Sequence, residues 1–155
     1  MTPSRMLIVS NRLPIVIEKN KEGELSLESG SGGLVTALAP ILRHRGGLWV
    51  GWPGTLDHHD DKAAELLLNE GAKTVGFQLT PVFLSKEEVD RSYHGFSNEI
   101  IWPLFHDRQF ECHFNPDYWH GYQEVNQKFA DDIGADGYAE DAGFAVSLAK
   151  SLMAD

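Results

Sequence analysis

Cysteine is almost absent from this chain of 155 residues. Cys112 stands alone, so no intrachain disulfide can form. A disulfide scaffold is thereby excluded, and the composition fits a reducing, cytoplasmic compartment. Long apolar runs are also lacking. No stretch approaches the ~20 residues that span a bilayer. The apolar start, Met6 to Val9, is broken at once by Ser10-Asn11-Arg12 and reads as neither anchor nor secretory signal. Positive charge is scarce: 13 Lys and Arg against 23 Asp and Glu give a formal net charge of −10. That balance argues against nucleic acid or an anionic membrane as a partner. Internal repeats and low-complexity segments are missing too.

What is present suits an ordinary globular domain. Hydrophobic residues make up 42% and charged residues 23%, and the length suffices to bury a core. Met6 to Val9 has the pattern of a strand buried on both faces. Pro14–Glu18 and Glu24–Glu28 flank Asn20-Lys21-Glu22-Gly23, which predicts a hairpin inserted after that strand. Beyond Gly32-Gly33, Leu34, Ala37, Leu38, Ile41 and Leu42 keep helical spacing, and Gly46-Gly47 stops the helix. Leu48–Trp52 predicts a second strand, 62–69 a helix closed by Gly71, and 74–79 a third strand. Ser85-Lys86-Glu87-Glu88 opens a short helix as a capping box. Asn115-Pro116-Asp117 caps a helix to about Ala130, and Ala142, Ala145, Leu148, Ala149 and Leu152 mark another near the C-terminus. Strands alternating with helices imply an α/β, Rossmann-like fold: a mostly parallel sheet flanked by helices.

In such sheets ligands collect beyond the carboxyl ends of the strands. Arg12 lies just past the first strand, where its guanidinium fork suits a phosphate or carboxylate, although a plain surface arginine has the same local sequence. Gly30-Ser31-Gly32-Gly33 before a helix offers bare backbone N–H groups and a positive dipole end. It matches neither the dinucleotide fingerprint nor the P-loop. Trp49, Trp52, Tyr93 and Trp102 are amphipathic rings that could pack against sugar faces or simply fill the core. Asp57-His58-His59-Asp60-Asp61 reads as a solvated turn rather than a metal site, because adjacent residues do not converge on one ion. His106 and Asp107 stay undecided, and Cys112 has no activating neighbours.

Five blocks bring these signals together: VSNRLP, SGGL, GGLWVGWPG, YHGFSNEIIWPLFH and YWHGYQEVNQKFAD. In this order and spacing, over about residues 5–130, they resemble the N-terminal domain of the trehalose-6-phosphate synthase family. The resemblance implies one half of a two-domain GT-B glycosyltransferase that moves glucose from UDP-glucose to glucose 6-phosphate with retention, without cofactor or metal. It further implies that Arg12 binds the acceptor phosphate, with Tyr93, Trp102 and Trp52 as further acceptor contacts. Gly32 and Gly33 would meet the donor. No catalytic residue is assigned, since the family's later His-Asp-Tyr motif and donor-binding domain have no counterpart in this sequence. Turnover by the isolated chain is therefore not expected. A non-catalytic sugar-phosphate-binding module and a truncated or chimeric fold stay open as alternatives, as does a homo-oligomer formed through a sheet edge. Residues 131–155 carry six acidic side chains against one lysine, half of the net charge. This stretch resembles the last turn and helix of a corrinoid-binding Rossmann domain, without that family's Asp-x-His-x-x-Gly motif, so cobalamin binding is not implied. The expected organisation is thus an acceptor-side domain over 1–130 and a closing turn and helix over 131–155.

Overall fold

The structure, a computed structural model, describes residues 6–30, 32–54 and 61–153. The chain divides into two compact units, Met1–Ser85 and Lys86–Asp155. The first holds β1 (Met6–Arg12), the hairpin β2 (Ile15–Lys19) and β3 (Leu25–Ser29), α1 (Gly33–Arg45), β4 (Gly47–Trp52), α2 (Asp61–Val75) and β5 (Gln78–Pro81). Strands β1, β4 and β5 form a parallel sheet in the order β1-β4-β5, and β2-β3 form a separate antiparallel pair. The fold class is the α/β arrangement that the alternating pattern predicts.

The core of this unit lies on one face of the sheet. Ile8, Trp49 and Phe77 meet Leu42 of α1, Ala64 and Leu68 of α2, and Ile15 and Ile17 of the hairpin. Trp49 is fully buried and stacks on Phe77 with ring centroids 6.1 Å apart. Its indole N–H donates to Ser10 Oγ at 2.8 Å, and that hydroxyl donates to the carbonyl of Arg12 at 2.7 Å. The hairpin turn closes as its sequence requires, with Gly23 at φ 86 and its N–H donating to the Asn20 carbonyl.

Three expectations need correction. Met6 to Val9 is not buried on both faces: Leu7 is 58% and Val9 49% exposed, because α1 and α2 pack on the face to which Ile8 points and these two side chains point to the other. Gly71 does not close α2. The helix runs on to Val75 and stops at Gly76, φ 83, while Gly71 lies against Ile15 and Leu27, and an added Cβ would have to displace the Ile15 Cδ1 methyl. The third strand begins at Gln78, since α2 claims Thr74 and Val75.

The second unit is helical. α3 (Lys86–Val89) continues through a π-helical stretch, Asp90–Ile101, into α4 (Trp102–Phe105), so the short helix expected after Ser85 is the start of a much longer helical run. After a 3₁₀ turn at Gln109–Glu111 come α5 (Pro116–Asp132) and α6 (Ala142–Leu152). Asn115 caps α5 as its sequence predicts, Oδ1 accepting from the Asp117 N–H at 3.0 Å. Ion pairs Arg91–Glu124 at 2.6 Å and Lys128–Glu88 at 3.0 Å link α5 to the preceding helical run. Gly95 lets the π-helical stretch lie flat on Tyr118, whose ring would meet an added Cβ at 2.5 Å. No described helix is long and apolar enough to cross a membrane.

Leu68, 2% exposed on α2, carries the core contact of that helix. Leu68→Ala is expected to cost about 2–5 kcal/mol of unfolding free energy, measured by urea titration. Leu66→Ala, at a position 70% exposed, is expected to change it by less than about 0.5 kcal/mol.

Candidate functional site

Arg12 ends β1 opposite Trp52 of β4, and its guanidinium carbon lies 5.1 Å from the centre of the Trp52 ring. Arg12 is itself exposed, and a cation over an indole face at an exposed site is stabilised by about 0.5–1 kcal/mol. Trp52 is only 5% exposed, so it serves less as an open platform than as the surface on which the arginine rests. The backbone around the pair is tightly set. Leu13 N–H donates to the Trp52 carbonyl at 3.0 Å, and Ile17 N–H to the Pro53 carbonyl at 2.7 Å. A Cβ on Gly51 would stand 2.7 Å from both Arg12 C and Leu13 N, so glycine permits this approach of the strand ends. Gly54, φ 128, passes equally close to the Ile17 carbonyl. The result is a cleft of about 390 Å³ lined by Arg12, Val16, Glu18, Lys19, Trp52 and Gly54, with two cations facing one carboxylate.

The glycine-rich loop is held from below, Gly30 N–H donating to the Pro14 carbonyl at 2.8 Å. Gly32 precedes α1 at φ 149, and neither it nor Gly33 has a neighbour within 4 Å of an added Cβ. Among the described residues no side chain caps the helix, and its first turn holds no acid, whereas Arg43, His44 and Arg45 fill the last turn. The positive end of α1 is therefore open to an anion at the carboxyl end of the sheet.

Tyr93 and Trp102 belong to the helical unit. Tyr93 sits half-buried in the π-helical stretch with its ring edge-on to His94, centroids 5.3 Å apart. Trp102 is 46% exposed at the start of α4. His106 stacks on it at 4.2 Å and donates from Nδ1 to the Trp102 carbonyl at 2.7 Å. Arg108 lies 5.5 Å from the same ring and is itself held by Glu111. The structure thus joins Arg12 to Trp52 in the first unit, and His106, formerly undecided, to Trp102 in the second. Gly51, Gly54, Lys19 and Arg108 escape the sequence reading. Of these only Gly51 had a signal, a lone glycine between two tryptophans in a strand pattern. Among the described residues no cluster of three His, Cys, Asp or Glu could hold a metal ion. The 57–60 turn lies outside them, and the Asp61 side chain likewise.

Residues 4–146 match the sequence profile of glycosyltransferase family 20. A trehalose-6-phosphate synthase of Mycolicibacterium vanbaalenii is 42% identical over 125 residues, which is 81% of this chain and 25% of the relative. A solved trehalose-6-phosphate synthase superposes with a TM-score of 0.62 and 28% identity, covering 89% of this chain and 27% of that one. A structure from E. coli, bound with UDP-2-fluoro glucose, gives a TM-score of 0.56 and 28% identity over 84% of this chain and 24% of its own. The chain spans about a quarter of the length of the relatives it matches.

Gly51→Ala is expected to lower the unfolding free energy by more than about 1 kcal/mol, because two backbone atoms must move. Gly33→Ala, with open space around it, is expected to leave stability unchanged or raise it by up to about 1 kcal/mol. Denaturant midpoints of the two variants distinguish the close approach from the open helix mouth.

Proposed function

The chain belongs to glycosyltransferase family 20, and from that premise we propose that it is the acceptor-side part of an α,α-trehalose-phosphate synthase, transferring glucose from UDP-glucose to glucose 6-phosphate. The observation that carries this reading is Arg12 laid over Trp52 at the end of β1, with Lys19 lining the same cleft. A phosphate dianion accepts short, charge-assisted hydrogen bonds from a guanidinium fork, and a neighbouring ammonium adds to the attraction. In this reading Arg12 takes the acceptor phosphate and Trp52 fixes the direction of its fork. Tyr93 and Trp102 contact the acceptor sugar. Gly32 and Gly33 admit the donor to the open end of α1, whose partial positive charge favours the diphosphate.

Retaining transfer needs donor and acceptor clamped together with positive charge on the departing diphosphate. This chain supplies the acceptor side and one helix terminus, so binding without turnover is its expected behaviour in isolation. The domain over 1–130, with 131–155 as a closing turn and helix, belongs to the same proposal.

Calorimetric titration with glucose 6-phosphate tests it, with inorganic phosphate and glucose as controls. A dissociation constant of about 1 mM or tighter, roughly 4 kcal/mol or more, is expected for the chain, and no detectable heat for Arg12→Ala. Equal binding by the Arg12→Ala variant, or none by the chain itself, contradicts the assignment.

A further inference from the structure

The turn that follows α4 holds one exposed ring in place. Trp102 is 46% exposed, yet two side chains from that turn lie against it. His106 stacks on the indole at 4.2 Å, with the two planes 21° apart, and donates from Nδ1 to the Trp102 carbonyl. Arg108 approaches the same ring at 5.5 Å. Its guanidinium is engaged by Glu111 Oε1, to which Nε donates at 2.9 Å while Nη2 lies 2.7 Å away. With its charge met in this way, Arg108 suits the part of a strut better than that of an anion receptor.

The backbone bends to bring both side chains back. His106 N–H and Arg108 N–H both donate to the Pro103 carbonyl, at 3.1 and 2.9 Å. Between them Asp107 stands at φ 55, the one positive value outside glycine among the described residues. A residue with a side chain adopts that conformation at a cost, and aspartate is among the few that tolerate it. Pro103 is buried, so the turn is anchored to the unit beneath it. Burial does not account for the arrangement, because Trp102, His106 and Arg108 all remain exposed. What the turn fixes is the direction of the indole.

We infer that His106, Asp107 and Arg108 are positioning residues for Trp102, holding its ring in the attitude that meets the acceptor. This rests on the sugar-phosphate reading, which makes Trp102 an acceptor contact, and adds the residues that act through it. A ring fixed before the ligand arrives has little rotamer freedom left to lose, so the clamp is felt as affinity.

The test uses the whole chain labelled with 5-fluorotryptophan. Of its four tryptophans, Trp102 is identified as the fluorine resonance that Trp102→Phe removes. In the parent that line is expected to be displaced from free 5-fluorotryptophan. In His106→Ala and Arg108→Ala it is expected to move to the free value, with circular dichroism unchanged. Both variants are then expected to bind glucose 6-phosphate about three- to tenfold more weakly, the cost of ordering one side chain anew, and inorganic phosphate as before. A Trp102 line at the free value in the parent overturns the inference, and so does one that neither variant moves. Variants that free the ring yet bind glucose 6-phosphate like the parent overturn it, as does an equal loss for inorganic phosphate. A parent that holds its ring but binds no glucose 6-phosphate is a separate result. It refutes the sugar-phosphate reading, and the positioning role with it.

Discussion

The site depends on the parallel pairing of β1 with β4. That pairing sets Ile8 beside Trp49 in the core and, three residues further along β4, Arg12 beside Trp52 at the strand ends. The side-chain period of a strand is two, so a one-residue slip would send Trp49 to the wrong face and carry Arg12 off its indole. Register is fixed at both ends. Burial of Trp49 against Phe77 fixes it inside the sheet, and the absence of a side chain at Gly51 fixes it at the rim. The hydrogen bonds from Trp49 through Ser10 to the Arg12 carbonyl tie the two together, so the buried indole N–H is satisfied by the same residues that shape the strand end.

Charge is arranged against the average. The chain is strongly acidic, yet the carboxyl end of its sheet gathers Arg12, Lys19 and the uncapped start of α1, while half of the surplus acid lies in residues 131–155. A local positive field within an acidic molecule favours small anions without attracting polyanions, in keeping with the sugar-phosphate and nucleotide-sugar site proposed above. The exposed guanidinium of Arg12 rests on the Trp52 ring, and an arginine held in this way has less side-chain freedom to lose to a ligand than one waving in solvent.

Much of the fold was legible in the sequence, because local signals and tertiary demands agree there. The hairpin turn at Asn20–Gly23, the glycines before α1 and the Asn115 cap all appear where their chemistry places them. The misreadings have physical causes. Gly71 resembles a helix stop, but it is a packing glycine under Ile15 and Leu27, and only tertiary contact distinguishes the two. Met6 to Val9 reads as doubly buried because its composition suits a central strand, whereas burial depends on neighbours that a sequence pattern does not display. The π-helical stretch carrying Tyr93 has no familiar period to betray it. At the site, Arg12 was legible as a strand-end cation. Its resting place on a buried Trp52 was not, because that contact spans forty residues and depends on register.

The most direct measurement of the central claim is transfer by a hybrid enzyme, in which this chain replaces the aligned segment of the M. vanbaalenii synthase. Trehalose 6-phosphate formation is expected, with kcat/KM for glucose 6-phosphate falling at least about a hundredfold in the Arg12→Ala hybrid, the loss of one charge-assisted contact of roughly 3 kcal/mol. A hybrid that folds and binds UDP-glucose but transfers nothing, or that works equally well without Arg12, would contradict the account.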